Sequence, residues 1–287
     1  MLFGGETAES YYDEGLTSLS RGNVEQAMTH FRKAVELDPS LGGAWHQLGR
    51  CLYRLGRPAE AIDAFNRARE CNVRHTPLDL GYALLLQGAV DRAAACFSRM
   101  LEVDSVRPRA MVGLARCAIR NGQFDHALEM ALQAAGELRA DQLEADWIAG
   151  QAAARLRMAD LARERLERAD RQLEKLLEVA SDRPDAYYLR GMIHYFLDEY
   201  MKALEGGFLP AEQRCQPDTH YCVAHEHFAL VDVLAWQGWC WRALGHAEKA
   251  RELGRRVLQL KPDSQRGRAL AGETFPRRGE AGTPETS

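Results

Sequence analysis

The sequence predicts an all-α fold built from repeated helix–turn–helix units. Four glycines at positions 22, 56, 88 and 122 each lie between two segments of helical periodicity, and the intervals between them are 34, 32 and 34 residues. Glycine permits the backbone angles of a tight turn. A repeat of this length is typical of solenoid proteins, in which helical hairpins bury their apolar faces against their neighbours.

Each of the first four units repeats the same small and large residues. In the second unit, Gly49 on the first helix and Ala61 on the second helix allow the two helices to approach closely. Phe65 lies one helical turn beyond Ala61 and supplies a large side chain for the space between hairpins. Phe31 and Phe97 take this place in the first and third units. The pattern predicts close helix pairs with aromatic side chains between them.

The downstream units follow the pattern less closely. Gly150 indicates a fifth unit, Gly191 a sixth and Gly238 a seventh, and the intervals between these first-helix glycines grow to 41 and 47 residues. The fifth unit contains a long charged helix at 159–180, and insertions are expected near 181–184 and before residue 219.

Seven residues of the second unit carry a recognisable signature: Trp45, Leu48, Gly49, Gly56, Ala61, Phe65 and Ala68. With these residues the chain resembles the tetratricopeptide repeat family. The resemblance implies a right-handed α-solenoid of about six to seven units, with the last ones irregular. It also implies a concave groove, lined by the first helices, that captures an extended peptide or a helix of a partner protein.

Four regions are expected along the chain. Residues 1–7 form an N-terminal lead, residues 8–140 form four regular repeats, and residues 141–263 form divergent repeats with insertions. Residues 264–287 are polar and rich in glycine and proline, and this composition predicts a disordered tail.

The resemblance places a set of basic and aromatic residues in the groove. They are His46, Arg50, Tyr53, Arg54, Tyr82, Arg109, Arg116, Arg120, Trp147 and Arg155. Since few acidic residues occur among them, the groove is expected to bind an acidic peptide or tail. The alternative is that the arginines are solvated or pair with acidic residues of the second helices, where exposed charges contribute little.

A second candidate site lies in the sequence CQPDTHYCVAHEHF at 215–228. We predict a helix that begins after an N-cap at Asp218 or Thr219 and ends near Gly245. The helix would carry cysteine and histidine side chains close to the preceding loop.

A zinc ion is the cofactor that such residues would bind. A closed zinc site needs four convergent ligands, and the candidates are Cys215, His220, Cys222 and His225. On the predicted helix, His227 points away from Cys222. The spacing matches no zinc signature, so the alternative is that these residues pack or form hydrogen bonds at a helix start. In that case the protein has no cofactor.

Composition and motifs narrow the function. The net charge of -4 gives no basic bias towards nucleic acid, and no apolar run is long enough to span a membrane. The odd number of cysteines, seven, and the lack of a signal sequence indicate a reducing compartment, the cytoplasm. There is no phosphate-binding glycine loop or nucleophile elbow, so we expect no enzymatic activity.

Three functions remain open at this point. The first is a non-enzymatic scaffold or adaptor that binds a protein partner and that self-associates through Trp236, Trp239 and Trp241. The second is a metal- or ligand-sensing module that uses residues 215–228. The third is RNA binding by the groove arginines, although the repeats lack regularly varied pairs of base-reading side chains.

Overall fold

The computed structural model describes residues 7–74, 76–137 and 142–272. The chain forms two compact units, Met1–Arg139 (unit 1) and Ala140–Ser287 (unit 2). Among the described residues, no helix is both long and apolar enough to cross a membrane.

Unit 1 consists of four helical hairpins. Their helices are α1 (Ala8–Ser20), α2 (Val24–Leu37), α3 (Gly42–Arg54), α4 (Pro58–Glu70), α5 (Thr76–Leu86), α6 (Val90–Met100), α7 (Arg107–Arg120) and α8 (Phe124–Glu137). The glycines predicted for the turns, Gly22, Gly56, Gly88 and Gly122, all have positive φ, between 67° and 88°. The predicted turn chemistry is therefore confirmed.

The core of unit 1 also follows the predicted pattern. Ala61 and Phe65 are fully buried, and a Cβ atom added to Gly49 would lie 2.6 Å from the Phe65 ring. A Cβ atom added to Gly113 would lie 2.5 Å from the Phe97 ring. An aromatic ring of the third hairpin therefore packs against the backbone of the fourth. Glycine is required here because the ring occupies the place of a side chain.

Unit 2 is longer and less regular. Its elements are α9 (Leu143–Arg155), α10 (Ala159–Val179), α11 (Pro184–Phe196), α12 (Tyr200–Ala203), a π-helical segment (Leu204–Phe208), α13 (Leu209–Arg214), β1 (Tyr221–Val223), β2 (Glu226–Phe228), α14 (Leu230–Ala243), α15 (Ala247–Leu260) and α16 (Gln265–Ala271). The predicted long charged helix is α10. In the turns after α9 and α11, Arg157 and Asp198 adopt a φ of 60° where the earlier hairpins have glycine.

The helix predicted from residue 219 to Gly245 is wrong for the residues before Leu230. Residues 221–228 form an antiparallel β-hairpin in which Tyr221 pairs with Phe228 and Val223 pairs with Glu226. Helix α14 begins only at Leu230, where the Asp232 carboxylate accepts a hydrogen bond from the amide of Ala229 at 3.0 Å. β-Branched and aromatic residues at alternating positions favour the strand conformation over the helix.

The tail predicted to be disordered from residue 264 begins with a helix. Ser264 caps α16 by accepting a hydrogen bond from the Gly267 amide at 3.1 Å, and Leu270 is 1% exposed against α14 and α15. Burial of this one leucine stabilises a segment whose composition is otherwise polar. Residues 273–287 of the predicted tail, and residues 1–6 of the predicted lead, lie outside the described residues.

Candidate protein-binding surfaces

The first helices of unit 1 lie side by side and bring predicted groove residues into contact. His46 Nε2 of α3 lies 2.8 Å from Asp79 Oδ2 of α5. Tyr82 of α5 donates its hydroxyl to the carbonyl oxygen of Arg109 on α7, at 3.3 Å. We call this face of the three helices the α3–α5–α7 surface.

Arginines line two edges of the α3–α5–α7 surface. On α3, Arg50 and Arg54 are exposed and lie one turn apart. Within the part of the chain that the structure describes, neither forms an ion pair, and Arg50 contacts the Gln47 side chain at 3.3 Å. On α7, Arg109 and Arg120 are also exposed. The surface therefore holds cationic groups that solvent reaches.

Other predicted groove residues do not present open side chains. Tyr53, Tyr82 and Arg116 are each at most 8% exposed. His46 is half-buried beside Asp79, an acidic residue of the surface that is not among the predicted binding residues. The surface is therefore less aromatic and less basic than predicted.

In unit 2, the β-hairpin covers the equivalent face. Trp147 of α9 is fully buried and donates its indole N–H to Glu226 Oε1 at 3.1 Å. Tyr188 of α11 stacks on Phe228, with ring centroids 3.9 Å apart and an interplanar angle of 6°. We call this face of the two helices the α9–α11 surface. The β-hairpin of the same chain thus covers the Trp147 side chain, whereas the prediction placed Trp147 in an open groove.

Tyr188 is not among the groove residues predicted from the sequence. It lies three residues before Gly191, the same offset that separates His46 from Gly49 and Trp147 from Gly150. This regular offset places Tyr188 at the same repeat position as the predicted groove residues His46 and Trp147. The tyrosine hydroxyl accepts a hydrogen bond from Trp236 Nε1 at 3.1 Å, and burial raises the pKa of Tyr188 well above its ordinary value. The side chain therefore stays neutral.

Arg155, the last of the predicted groove residues, lies at the C-terminal end of α9. Its side chain is exposed, whereas Trp147, on the same helix, is fully buried. Unit 2 therefore places the two predicted groove residues in different environments.

The β-hairpin turns through two residues without glycine. Ala224 has a φ of 44° and His225 a φ of 57°, which are the left-handed values of a two-residue hairpin turn. His225 Nε2 lies 3.9 Å from Glu144 Oε2 on α9. The strained turn is thus held against the α9–α11 surface.

The predicted zinc ligands do not converge. His227 lies between His220 and Cys222: its Nδ1 is 2.9 Å from His220 Nε2, and its Nε2 is 3.5 Å from Cys222 Sγ. The two nitrogens of one imidazole point in different directions, so these contacts form a chain and not a shared coordination point. Among the described residues, no three His, Cys, Asp or Glu side chains form a group suited to a metal ion, and this includes the set Cys215, His220, Cys222 and His225.

The tryptophans predicted to support self-association contribute to the fold of unit 2. Trp236 is 1% exposed in the core. Trp239 and Trp241 pack partly buried against the apolar cluster of α14, α15 and α16. The Lys249 ammonium lies 3.9 Å from the centre of the Trp241 ring. Trp236 is therefore not available to a second copy of the chain.

Comparisons with known proteins agree with this architecture. Residues 12–72 and 84–146 each match a tetratricopeptide repeat family. The chain is 30% identical over 126 residues to Superkiller protein 3 of Schizosaccharomyces pombe. The matched region covers 43% of this chain and 9% of that protein. It is 42% identical over 60 residues to an uncharacterised protein of Methanocaldococcus jannaschii, which covers 21% of this chain and 70% of that protein.

Two solved structures share the fold. The APC/C hetero-tetramer Cut9–Hcn1 has a TM-score of 0.56 at 15% identity, over 96% of this chain and 44% of that one. A tetratricopeptide repeat protein of Parabacteroides merdae has a TM-score of 0.55 at 12% identity, over 93% of this chain and 98% of that one. The chain therefore spans less than half the length of the matched chain in the Cut9–Hcn1 structure. It spans about a tenth of the length of Superkiller protein 3. The repeated hairpins, their packing residues and these matches together place the chain in the tetratricopeptide repeat family.

Proposed function

We propose that the protein is a non-enzymatic scaffold or adaptor that binds an acidic segment of a partner protein on the α3–α5–α7 surface. Tetratricopeptide repeats generally mediate protein–protein interactions. The acidic ligand is proposed from the exposed pair Arg50 and Arg54, which forms no ion pair within the described residues.

Charge and geometry both favour an acidic ligand. Each guanidinium presents several N–H donors that match the two oxygens of a carboxylate. Arg109 and Arg120 extend the positive charge to α7. A segment that crosses from α3 to α7 therefore meets cationic groups at both ends. Such binding is steered by charge and weakens as salt screens the attraction.

Charge reversal tests the proposal. In the variant Arg50→Glu/Arg54→Glu, two exposed cations of the surface become anions. The matched control is Arg69→Glu/Arg99→Glu, which makes the same change in net charge at exposed positions of the second helices α4 and α6. Binding is measured by fluorescence polarisation on a peptide panel in which acidic, neutral and basic peptides have equal length.

We expect the panel to select acidic peptides, with at least tenfold weaker binding in the α3 variant and little change in the control. Circular dichroism verifies that both variants keep their helices. If acidic peptides are not selected, or if both variants bind equally, the proposal is wrong.

A further inference from the structure

We propose that the α9–α11 surface is a second peptide-binding site, which the β-hairpin of the same chain occupies as a built-in ligand. A partner segment in an extended conformation, with an acidic residue followed two positions later by an aromatic residue, displaces the hairpin. This inference goes beyond the proposed function, because none of its contacts involves the α3–α5–α7 surface.

The docked hairpin defines the chemistry of the ligand. Glu226 Oε1 accepts the hydrogen bond from the Trp147 indole, and Phe228 stacks on Tyr188. Residues i and i+2 of a strand point to the same side. Glu226 and Phe228 are accordingly buried on the α9–α11 surface, at 9% and 1% exposure. His227 points to the other side and pairs with Cys222. An acidic residue, any residue and an aromatic residue therefore form the minimal recognised sequence.

The surface itself requires such a ligand. Trp147 is fully buried, and its indole N–H needs an acceptor wherever water is excluded. The Tyr188 ring offers a flat apolar face of matching size for a second aromatic ring. A partner that removes the hairpin must replace both contacts, and an acidic residue with an aromatic residue two positions later replaces both.

The hairpin itself is locally unfavourable, which makes exchange feasible. Its turn places Ala224 and His225 in the left-handed region, where residues with a Cβ atom are disfavoured. Each strand has three residues, and an isolated two-stranded hairpin of this size is marginal in water. The docked conformation therefore depends on the contacts of Glu226 and Phe228. A partner segment without this strain competes for the same contacts.

The test uses the full chain in three forms. The first is the protein without substitution. The opened variant, Glu226→Ala/Phe228→Ala, loses both docking contacts. The locked variant, Ala224→Asn, keeps both contacts and the approach of His225 to Glu144, and it relieves strain at the first turn residue, since asparagine accepts positive φ.

The probe is a fluorescent peptide of residues 219–229 with Cys222→Ser to prevent oxidation. A control peptide also carries Glu226→Ala and Phe228→Ala. We expect the probe to bind the opened variant at least tenfold more tightly than the unsubstituted protein and to bind the locked variant most weakly. We expect no binding of the control peptide to any form.

Two results would overturn the proposal. One is an opened variant that keeps its helices by circular dichroism, exposes Trp147 to acrylamide quenching and still fails to bind the probe. The other concerns the unsubstituted protein and does not depend on the folding of any variant. A saturating excess of the probe should speed up hydrogen exchange of the backbone amides of residues 226–228, and unchanged exchange rules out displacement. The substitutions Arg50→Glu/Arg54→Glu should change neither probe binding to the opened variant nor the hydrogen exchange of residues 226–228. A failure of this proposal is therefore distinguishable from a failure of the proposed function.

Discussion

The indole N–H of Trp147 is bound to the carboxylate of Glu226 at 3.1 Å, although 79 positions separate the two residues in the sequence. The contact ties the first helix of the fifth hairpin to an insertion that precedes the seventh. Both side chains are at most 9% exposed. At a position that the repeat pattern assigns to ligand binding, Trp147 therefore contacts a residue of the same chain.

Helix contact in unit 1 depends on the absence of a Cβ atom at Gly49. In Gly49→Ala, the new methyl group would lie 2.6 Å from the fully buried Phe65 ring, so we expect a loss of about 1–3 kcal/mol in the free energy of unfolding. Gly136→Ala in α8 is the control, because a Cβ atom there meets nothing within 4 Å. Helix propensity predicts a gain of up to about 1 kcal/mol for the control. Urea denaturation measures both, and equal effects would contradict the packing argument.

A buried carboxylate stabilises α9 against α10. Asp146 is fully buried and lies 3.2 Å from Arg165 Nη1 and 3.3 Å from Arg168 Nε. We expect Asp146→Asn to cost about 2 kcal/mol, less than for a fully buried pair because solvent still reaches both arginines. Glu70→Gln removes a carboxylate from the exposed pair with Arg67 and should change stability by at most about 0.5 kcal/mol. A chemical denaturation series that gives the two variants equal stability would refute this assignment.

Asp79 reduces the positive charge of the α3–α5–α7 surface. Its carboxylate lies 2.8 Å from His46, and Asp79→Asn removes the negative charge with little change in shape. If the proposed function is correct, acidic peptides should bind this variant about threefold more tightly in low salt. The gain should shrink in 0.5 M salt as screening increases. Asp63→Asn on α4 serves as the control, and weaker binding of the Asp79 variant would contradict the prediction.

His220, the residue before the β-hairpin, makes stability depend on pH. Burial lowers the pKa of His220, while Asp232 opposes this shift in part. In the unfolded chain the histidine has a pKa of about 6.5, so the unfolded state binds the proton more readily and stability falls as the pH drops below about 6.5. At pH values below the pKa of His220 in the folded protein, the loss of stability levels off. His220→Gln should flatten this part of the stability profile, and a profile identical to that of the unsubstituted protein would exclude His220 as its source.

The buried thiols should resist alkylation in the folded protein. Burial raises the pKa of Cys51 to about 11 and that of Cys117, Cys215 and Cys240 to about 12. At pH 8 these thiols hold very little of the reactive thiolate form. Cys71 is less buried than these four thiols and should be alkylated before them by iodoacetamide, as read by peptide mass spectrometry. Equal labelling of Cys71 and Cys240 without denaturant would be inconsistent with this burial.

Much of unit 1 can be predicted from sequence because its signals are local and repeated. Gly49, Ala61 and Phe65 lie within one hairpin, and their counterparts recur in the neighbouring hairpins. Each recurrence of these residues strengthens the prediction of a hairpin at the other positions. The placement of arginines on the first helices follows from the same pattern, but the pairing of His46 with Asp79 joins different hairpins and has no local signal.

The β-hairpin could not be predicted because its stability comes from distant residues. Its turn, Ala224 and His225, lacks the asparagine and glycine that usually indicate a two-residue turn. Its docking contacts, Glu226 with Trp147 and Phe228 with Tyr188, join separate parts of the chain. Helix α16 was missed for a similar reason, since one buried leucine outweighs a polar composition.

The π-helical segment Leu204–Phe208 has an effect beyond its own turn. One extra residue in a helical turn rotates all later side chains by about 100°. With this rotation, Glu212 receives hydrogen bonds from Gln237 and Arg256, each at 2.7 Å. Deletion of a single residue within the segment would reset the angular phase of α13 and turn Glu212 away from both partners. Helix α13 would thus lose its Glu212 contacts with α14 and α15, although its own backbone would remain helical.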